Sequence, residues 1–161
     1  MSLLRILSFV ASASLAVAQI TSETHTIVFD NRCGFGTPIL KAQNGATLST
    51  GGQFTVLGPL IGITAFLQTG SCGGNGEGCT MVATTLQNPP SPSLVSTTSI
   101  WLIQPHAFSV TSGFGYFNGC DGLGADCTNA NCPTAFHSPG DTQVEVNCAA
   151  NNVNLAITFC L

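Results

Sequence analysis

The sequence predicts an all-β chain, an antiparallel β-sandwich stapled by disulfides with little helix, and three observations carry that reading. Apolar residues recur with a period of two in several short runs. Gly and Pro, 18 and 8 of the 161 residues, separate those runs at short intervals, and no stretch sustains an amphipathic helix of three turns. Eight cysteines, an even number, supply the staples.

Taken in order, residues 26–30 and 53–57 are β-branched or aromatic runs between turn residues, and Ile61, Ile63, Ala65 and Leu67 make one apolar face. Residues 80–86 and 99–104 read in the same way. In 142–147, Val144 and Val146 oppose Gln143, Glu145 and Asn147; in 153–159, Val153, Leu155, Ile157 and Phe159 alternate with Asn154, Ala156 and Thr158. That is the pattern of strands with one buried face. From Thr84 to Ser99, eight of sixteen positions are Ser or Thr, three are Pro and none is charged, which reads as an exposed loop. Its 91–99 stretch has the composition of an O-mannosylated segment, and the chain has no N-x-Ser/Thr sequon. Helix is expected only as single turns within 118–140.

Residues 1–18 place Arg5 before an apolar run that ends in Ala16-Val17-Ala18, the pattern of a signal peptide, leaving 19–161 as one secreted, extracellular domain with no membrane span or lipid anchor. Without Arg5, Arg32 and Lys41 stand against Glu23, Asp30, Glu77, Asp121, Asp126, Asp141 and Glu145. Two isolated cations cannot neutralise a phosphate backbone or hold an anionic membrane, so nucleic acid and membrane are excluded as partners. Neutral polysaccharides and proteins remain, and a monomer is expected.

In an oxidising compartment Cys33, Cys72, Cys79, Cys120, Cys127, Cys132, Cys148 and Cys160 read as four disulfides, with roughly a hundred connectivities open. No C-x-x-C occurs and no His pair accompanies the cysteines, so neither a metal nor another cofactor is expected. Serine hydrolysis lacks a G-x-S-x-G elbow. His25, His106 and His137 have no H-x-x-x-H spacing, and the 121–131 run lacks the ligand spacing of a calcium loop.

Residues 26–36, TIVFDNRCGFG, and 157–160, ITFC, together resemble the two ends of a thaumatin-like domain. Between them, residues 44–56 resemble that family's second hairpin, 63–74 its next strand and Cys-Gly-Gly turn, and 113–120, GFGYFNGC, its Gly-Phe-Asn segment. The small Ser/Thr- and Gly-rich form is most similar to the secreted thaumatin-like glycopeptides of mushroom-forming fungi. The resemblance implies Cys33–Cys160 and Cys120–Cys148, which leaves Cys72–Cys79 and Cys127–Cys132 as the simplest neighbour pairs. A loop as long as 33–160 contributes on the order of 5 kcal/mol in the chain-entropy account, so the terminal staple is expected to stabilise most. The family's second domain is reduced here to the loops of 120–148.

The function expected from this resemblance is non-enzymatic association with fungal cell-wall glycan, β-1,3-glucan first, in development or defence. One alternative is an endo-β-1,3-glucanase using an acidic pair, for which Glu77 and Asp121 are favoured over Asp126 and Asp30. The other is an inhibitor or interaction protein for a secreted enzyme, acting through the 84–99 loop. No carboxylate lies between Glu77 and Asp121, so the central strands are expected to line a nearly neutral cleft. Phe114, Tyr116, Phe117 and Asn118 mix flat apolar rings with a polar edge and are the glycan-binding candidates, Tyr116 presenting its hydroxyl at the surface.

Overall fold

The structure is a computed structural model and describes residues 22–161; the expected leader lies outside the described residues. Strands β1 (Thr24–Asn31), β4 (Phe54–Leu57), β8 (Ser112–Phe117), β9 (Gly124–Cys127) and β12 (Asn154–Phe159) form a five-stranded sheet in the order β4-β1-β12-β8-β9. A seven-stranded sheet contains β2 (Thr37–Lys41), β3 (Thr47–Ser49), β5 (Leu60–Gln68), β6 (Met81–Leu86), β7 (Ser96–Trp101), β10 (Ala135–Phe136) and β11 (Val146–Cys148). Its order is β10-β7-β6-β5-β2-β3, and β11 also pairs with β7. The described residues contain no helix, so the single turns expected in 118–140 are replaced by β9, β10 and tight loops.

The two sheets face each other across a core in which Ile27, Leu155, Ile157 and Phe159 meet Leu40, Leu67, Val82, Leu86 and Ile100, all fully buried. The alternation read in 153–159 is the alternation observed. The face read in β5 holds at Ile63, Ala65 and Leu67 but not at Ile61, because Gly62 takes φ +64° and the register slips between Leu60 and Ile63. Leu60 and Ile63 therefore point inward while Ile61 is exposed. Phe66, on the other face of β5, is buried under the 72–79 loop, where a Cβ on Gly76 would lie 2.9 Å from its ring.

Pairing is antiparallel except in two places. β1 runs parallel to β12, with Ile27 opposite Leu155 and Asn31 opposite Phe159, and β10 runs parallel to β7. Parallel neighbours need a long connection, and between β1 and β12 the chain builds the rest of the molecule. Just past this pair the Arg32 N–H donates to Phe159 O, and Cys33 is bonded to Cys160. Cys120–Cys148, like Cys33–Cys160 implied by the resemblance, and the neighbour pairs Cys72–Cys79 and Cys127–Cys132 are also formed.

Two segments differ from their sequence reading. Of 142–147 only the end is strand; just before it the Asp141 carboxylate accepts the N–H groups of His137 and Ser138 and closes a turn over 137–141. The 84–99 segment is sheet at both ends: β6 continues to Leu86, β7 begins at Ser96, and residues 87–95 alone form the loop. Ser96, Thr98 and Ser99 are buried, and their hydroxyls are satisfied inside the sheet, as in the 2.7 Å contact of Thr84 Oγ1 with Thr98 Oγ1.

Candidate functional site

Alternation along β5, β6 and β7 sends one set of side chains into the core and leaves Thr64, Ala83, Thr85, Thr97, Ser99 and Trp101 on the outer face of the large sheet. In register, Ala83 stands opposite Ser99 and Thr85 opposite Thr97. Together with Gly62 they line a groove of about 160 Å³ whose one charged group is Glu145 at its edge. The lone Trp in the sequence gives this groove its apolar surface. Trp101 Nε1 donates to Ser99 Oγ at 2.8 Å and the indole packs on Phe136 at 5.4 Å, so the ring is fixed lengthwise along β7. A fixed indole among hydroxyls suits the apolar face and the hydroxyl rim of a sugar ring.

A second depression of about 330 Å³ shares Gly62 and Thr64 with the first and continues to Gln43, Met81, Lys41, Glu77 and His106. Its charged groups are occupied in holding the 72–79 loop. Lys41 Nζ donates to Gly74 O at 2.8 Å. His106 Nδ1 donates to Gly76 O at 2.9 Å, and Gly78 N–H donates to Pro105 O. The Glu77 carboxylate accepts from Asn75 N at 2.9 Å and from Asn75 Nδ2 at 3.2 Å. The Asn75 N–H is the main cause that holds Glu77 below the usual carboxylate range. Residue 73 has to be Gly, because a Cβ there would collide with the same carboxylate.

The two favoured acids are not brought together. Asp121 belongs to the turn after β8 in the small sheet, where it accepts from Asn118 N at 3.3 Å and Gly119 N at 3.0 Å, and it lines neither depression. Asp30 is paired with Arg32 at 2.7 Å, and Asp126 lies on β9 against Gly113. A glycosidase needs one carboxyl that retains a proton, whereas Glu77 is held ionised.

The four aromatic-strand candidates also separate. Phe114 and Tyr116 point into the core, 6.2 Å apart and edge to face. The Tyr116 hydroxyl is not at the surface; it lies 2.9 Å from both Val146 O and Thr98 Oγ1, and burial pushes its pKa up to about 12. Alternation on β8 puts Phe117 on the opposite, outer face of the small sheet, across from Asn154, and exposed Asn118 turns its amide to Asn152 O. Trp101, Thr64, Thr85, Thr97 and Ser99 escaped the sequence reading. Their signal was the alternate spacing of 97, 99 and 101, which straddles the end of a Ser/Thr run read as a loop and the start of a run read as a strand.

No protein-family profile matches the sequence, and no curated protein matches it. Solved structures do. The thaumatin-like xylanase inhibitor TLXI superposes with a TM-score of 0.53 at 20% identity, over 85% of this chain and 99% of the inhibitor. The protein elicitor MoHrip2 from Magnaporthe oryzae superposes with a TM-score of 0.54 at 13% identity, over 87% of this chain and 100% of the elicitor. What is shared at these identities is the fold, and it is thaumatin-like.

Proposed function

We propose that this thaumatin-like fold acts outside the cell as a non-enzymatic binder of a neutral cell-wall polysaccharide, a β-glucan first, held along the outer face of the large sheet. The observation that carries the reading is the Trp101 indole fixed over a groove of Thr and Ser hydroxyls. Four disulfides and the leader-like residues 1–18 support an extracellular setting. Stacking and neutral hydrogen bonds are little screened by ions, so retention on insoluble β-1,3-glucan should change less than about threefold between low and physiological salt. Lack of retention on β-1,3-glucan, chitin and cellulose alike would overturn the reading.

A second reading is favoured by one feature of the 87–95 loop. Leu94 is 53% exposed on a turn closed by Leu94 N–H to Ser91 O, in a loop without charge and with three prolines. Such a pre-formed apolar tip suits insertion into the cleft of a secreted glycoside hydrolase. Titration of an endo-xylanase and a laminarinase with the protein tests this; unchanged rates for both at excess protein exclude the inhibitor reading for those enzymes.

A further inference from the structure

A partly buried polar cluster at the start of the small sheet, centred on His25, serves neither reading. His25 on β1 is fully buried; its Nδ1 lies 2.6 Å from Val153 O and its Nε2 lies 3.0 Å from Glu23 Oε1. A carbonyl oxygen accepts and never donates, so Nδ1 carries a proton. Nε2 then faces a carboxyl oxygen, a contact that is attractive only with a second proton between the two atoms. Burial works to raise the Glu23 carboxyl, but the Asn88 N–H and His25 together outweigh it and hold the group below its ordinary range. Glu23 is therefore the anion, and the second proton belongs to the imidazole.

The same Glu23 oxygen accepts the Asn88 N–H at the base of the 87–95 loop. Asn88 in turn exchanges two hydrogen bonds with Asn152, and Asn152 Oδ1 accepts the Thr24 N–H at 3.0 Å. One proton thus sits where β1, the turn before β12 and the β6–β7 loop are joined. We propose that the Glu23–His25 pair is a proton-operated latch on the 87–95 loop, closed while the imidazole carries both protons and released when it loses one. Among the described residues, Glu23 is the one titratable group bonded to His25. β4, which pairs with His25 through Val56, contains no ionisable side chain, and neither do residues 60–68, 86–99 or 149–159.

The direction follows from the atoms. Deprotonation leaves the Nε2 lone pair opposed to a carboxylate, so the latch holds in acid and weakens as pH rises. On the acid side it fails only when pH falls through the depressed value of Glu23. The loop is held most firmly in a mildly acidic medium. Because this loop joins β6 to β7, the latch also fixes the hairpin that carries Thr85 and Thr97, whatever the groove binds.

Nitrogen-15 NMR of the imidazole and amide hydrogen exchange at Asn88, both followed from acidic to mildly alkaline pH on the oxidised protein, test the latch. The expected result is a His25 ring protonated at both nitrogens at the acid end. Loss of one proton should then accompany an increase of about tenfold or more in Asn88 exchange, after correction for the intrinsic pH dependence of exchange. Glu23→Gln keeps an acceptor for Nε2 and for Asn88 but removes the charge, and should flatten both transitions. A ring protonated at Nδ1 alone throughout, with unchanged Asn88 protection, overturns the proposal on the unmodified protein. So does a Glu23→Gln variant that keeps the full pH response.

Discussion

The outer faces of the two sheets are built from different small residues: the small sheet carries glycines and an open depression of about 520 Å³ over Gly115, Gly124 and Asp126, the large sheet a smaller groove of hydroxyls beside Trp101. On the small sheet, Gly113 and Gly115 of β8 stand beside Asp126 and Gly124 of β9. A side chain at Gly113 would strike the Asp126 carboxyl, and one at Gly124 would strike Phe114 O, so two of these glycines admit neighbours of their own chain. On the large sheet the outward positions of β6 and β7 keep their side chains, mostly hydroxyls, and end on Trp101. Glycine lets strands approach there; threonine and tryptophan here leave a shaped, wettable groove.

The strongest way to break this contrast is Gly124→Ala, which should destabilise by about 2 kcal/mol in chemical denaturation, because the obstructing atom is backbone and cannot move aside. Gly115→Ala, whose nearest obstacle is Leu123 O at 4.0 Å, should stay within about 0.5 kcal/mol of the unmodified protein. If both cost the same, the small-sheet glycines are not there for packing. On the large sheet Trp101→Ala should weaken retention on β-1,3-glucan about tenfold, while Phe117→Ala on the opposite face leaves it unchanged. Equal losses would place the ligand on the wrong sheet. Thr85→Val keeps the shape of the groove and removes one hydroxyl; an affinity loss of about threefold with an unaltered denaturation midpoint is expected.

The smallest effect concerns acid. Glu77 and Asp141 are both held below their ordinary values, chiefly by backbone N–H donors, so each stabilises the fold above its unfolded pKa and loses that contribution as pH falls through the folded value. Glu77→Gln should therefore make the midpoint of denaturation less dependent on pH below about 4, the unfolded range for a glutamate. A slope identical to that of the unmodified protein would mean that the 72–79 loop does not need its charge.

What was legible in the sequence follows from what a residue pattern encodes. Period-two alternation reports which side chains are buried, so the core residues of β12 could be read directly, and the family's end motifs supplied the disulfide pairing. Alternation is silent on the direction of the neighbouring strand, which is why the parallel β1–β12 pair was not foreseen. It is also blind to polar groups that satisfy one another: Thr84, Thr98 and Tyr116 bury three hydroxyls in one cluster, and composition read part of that cluster as a loop and the tyrosine as a surface residue. The groove failed to appear for the same reason, since its hydroxyls alternate along β7 with Ser96 and Thr98 and one of them, Ser99, is itself buried.

The pairing of the chain's two ends also sets how the molecule carries mechanical load. Tension applied between residue 22 and residue 161 runs along β1, crosses the Cys33–Cys160 bond and leaves at once, so everything from 34 to 159 lies outside the path of the force. Stretching the oxidised protein can peel away β1 and its short lead, a path on the order of 40 Å that the extended strand already nearly spans, so little length is released. The remaining strands would feel the pull only after that one bond is reduced.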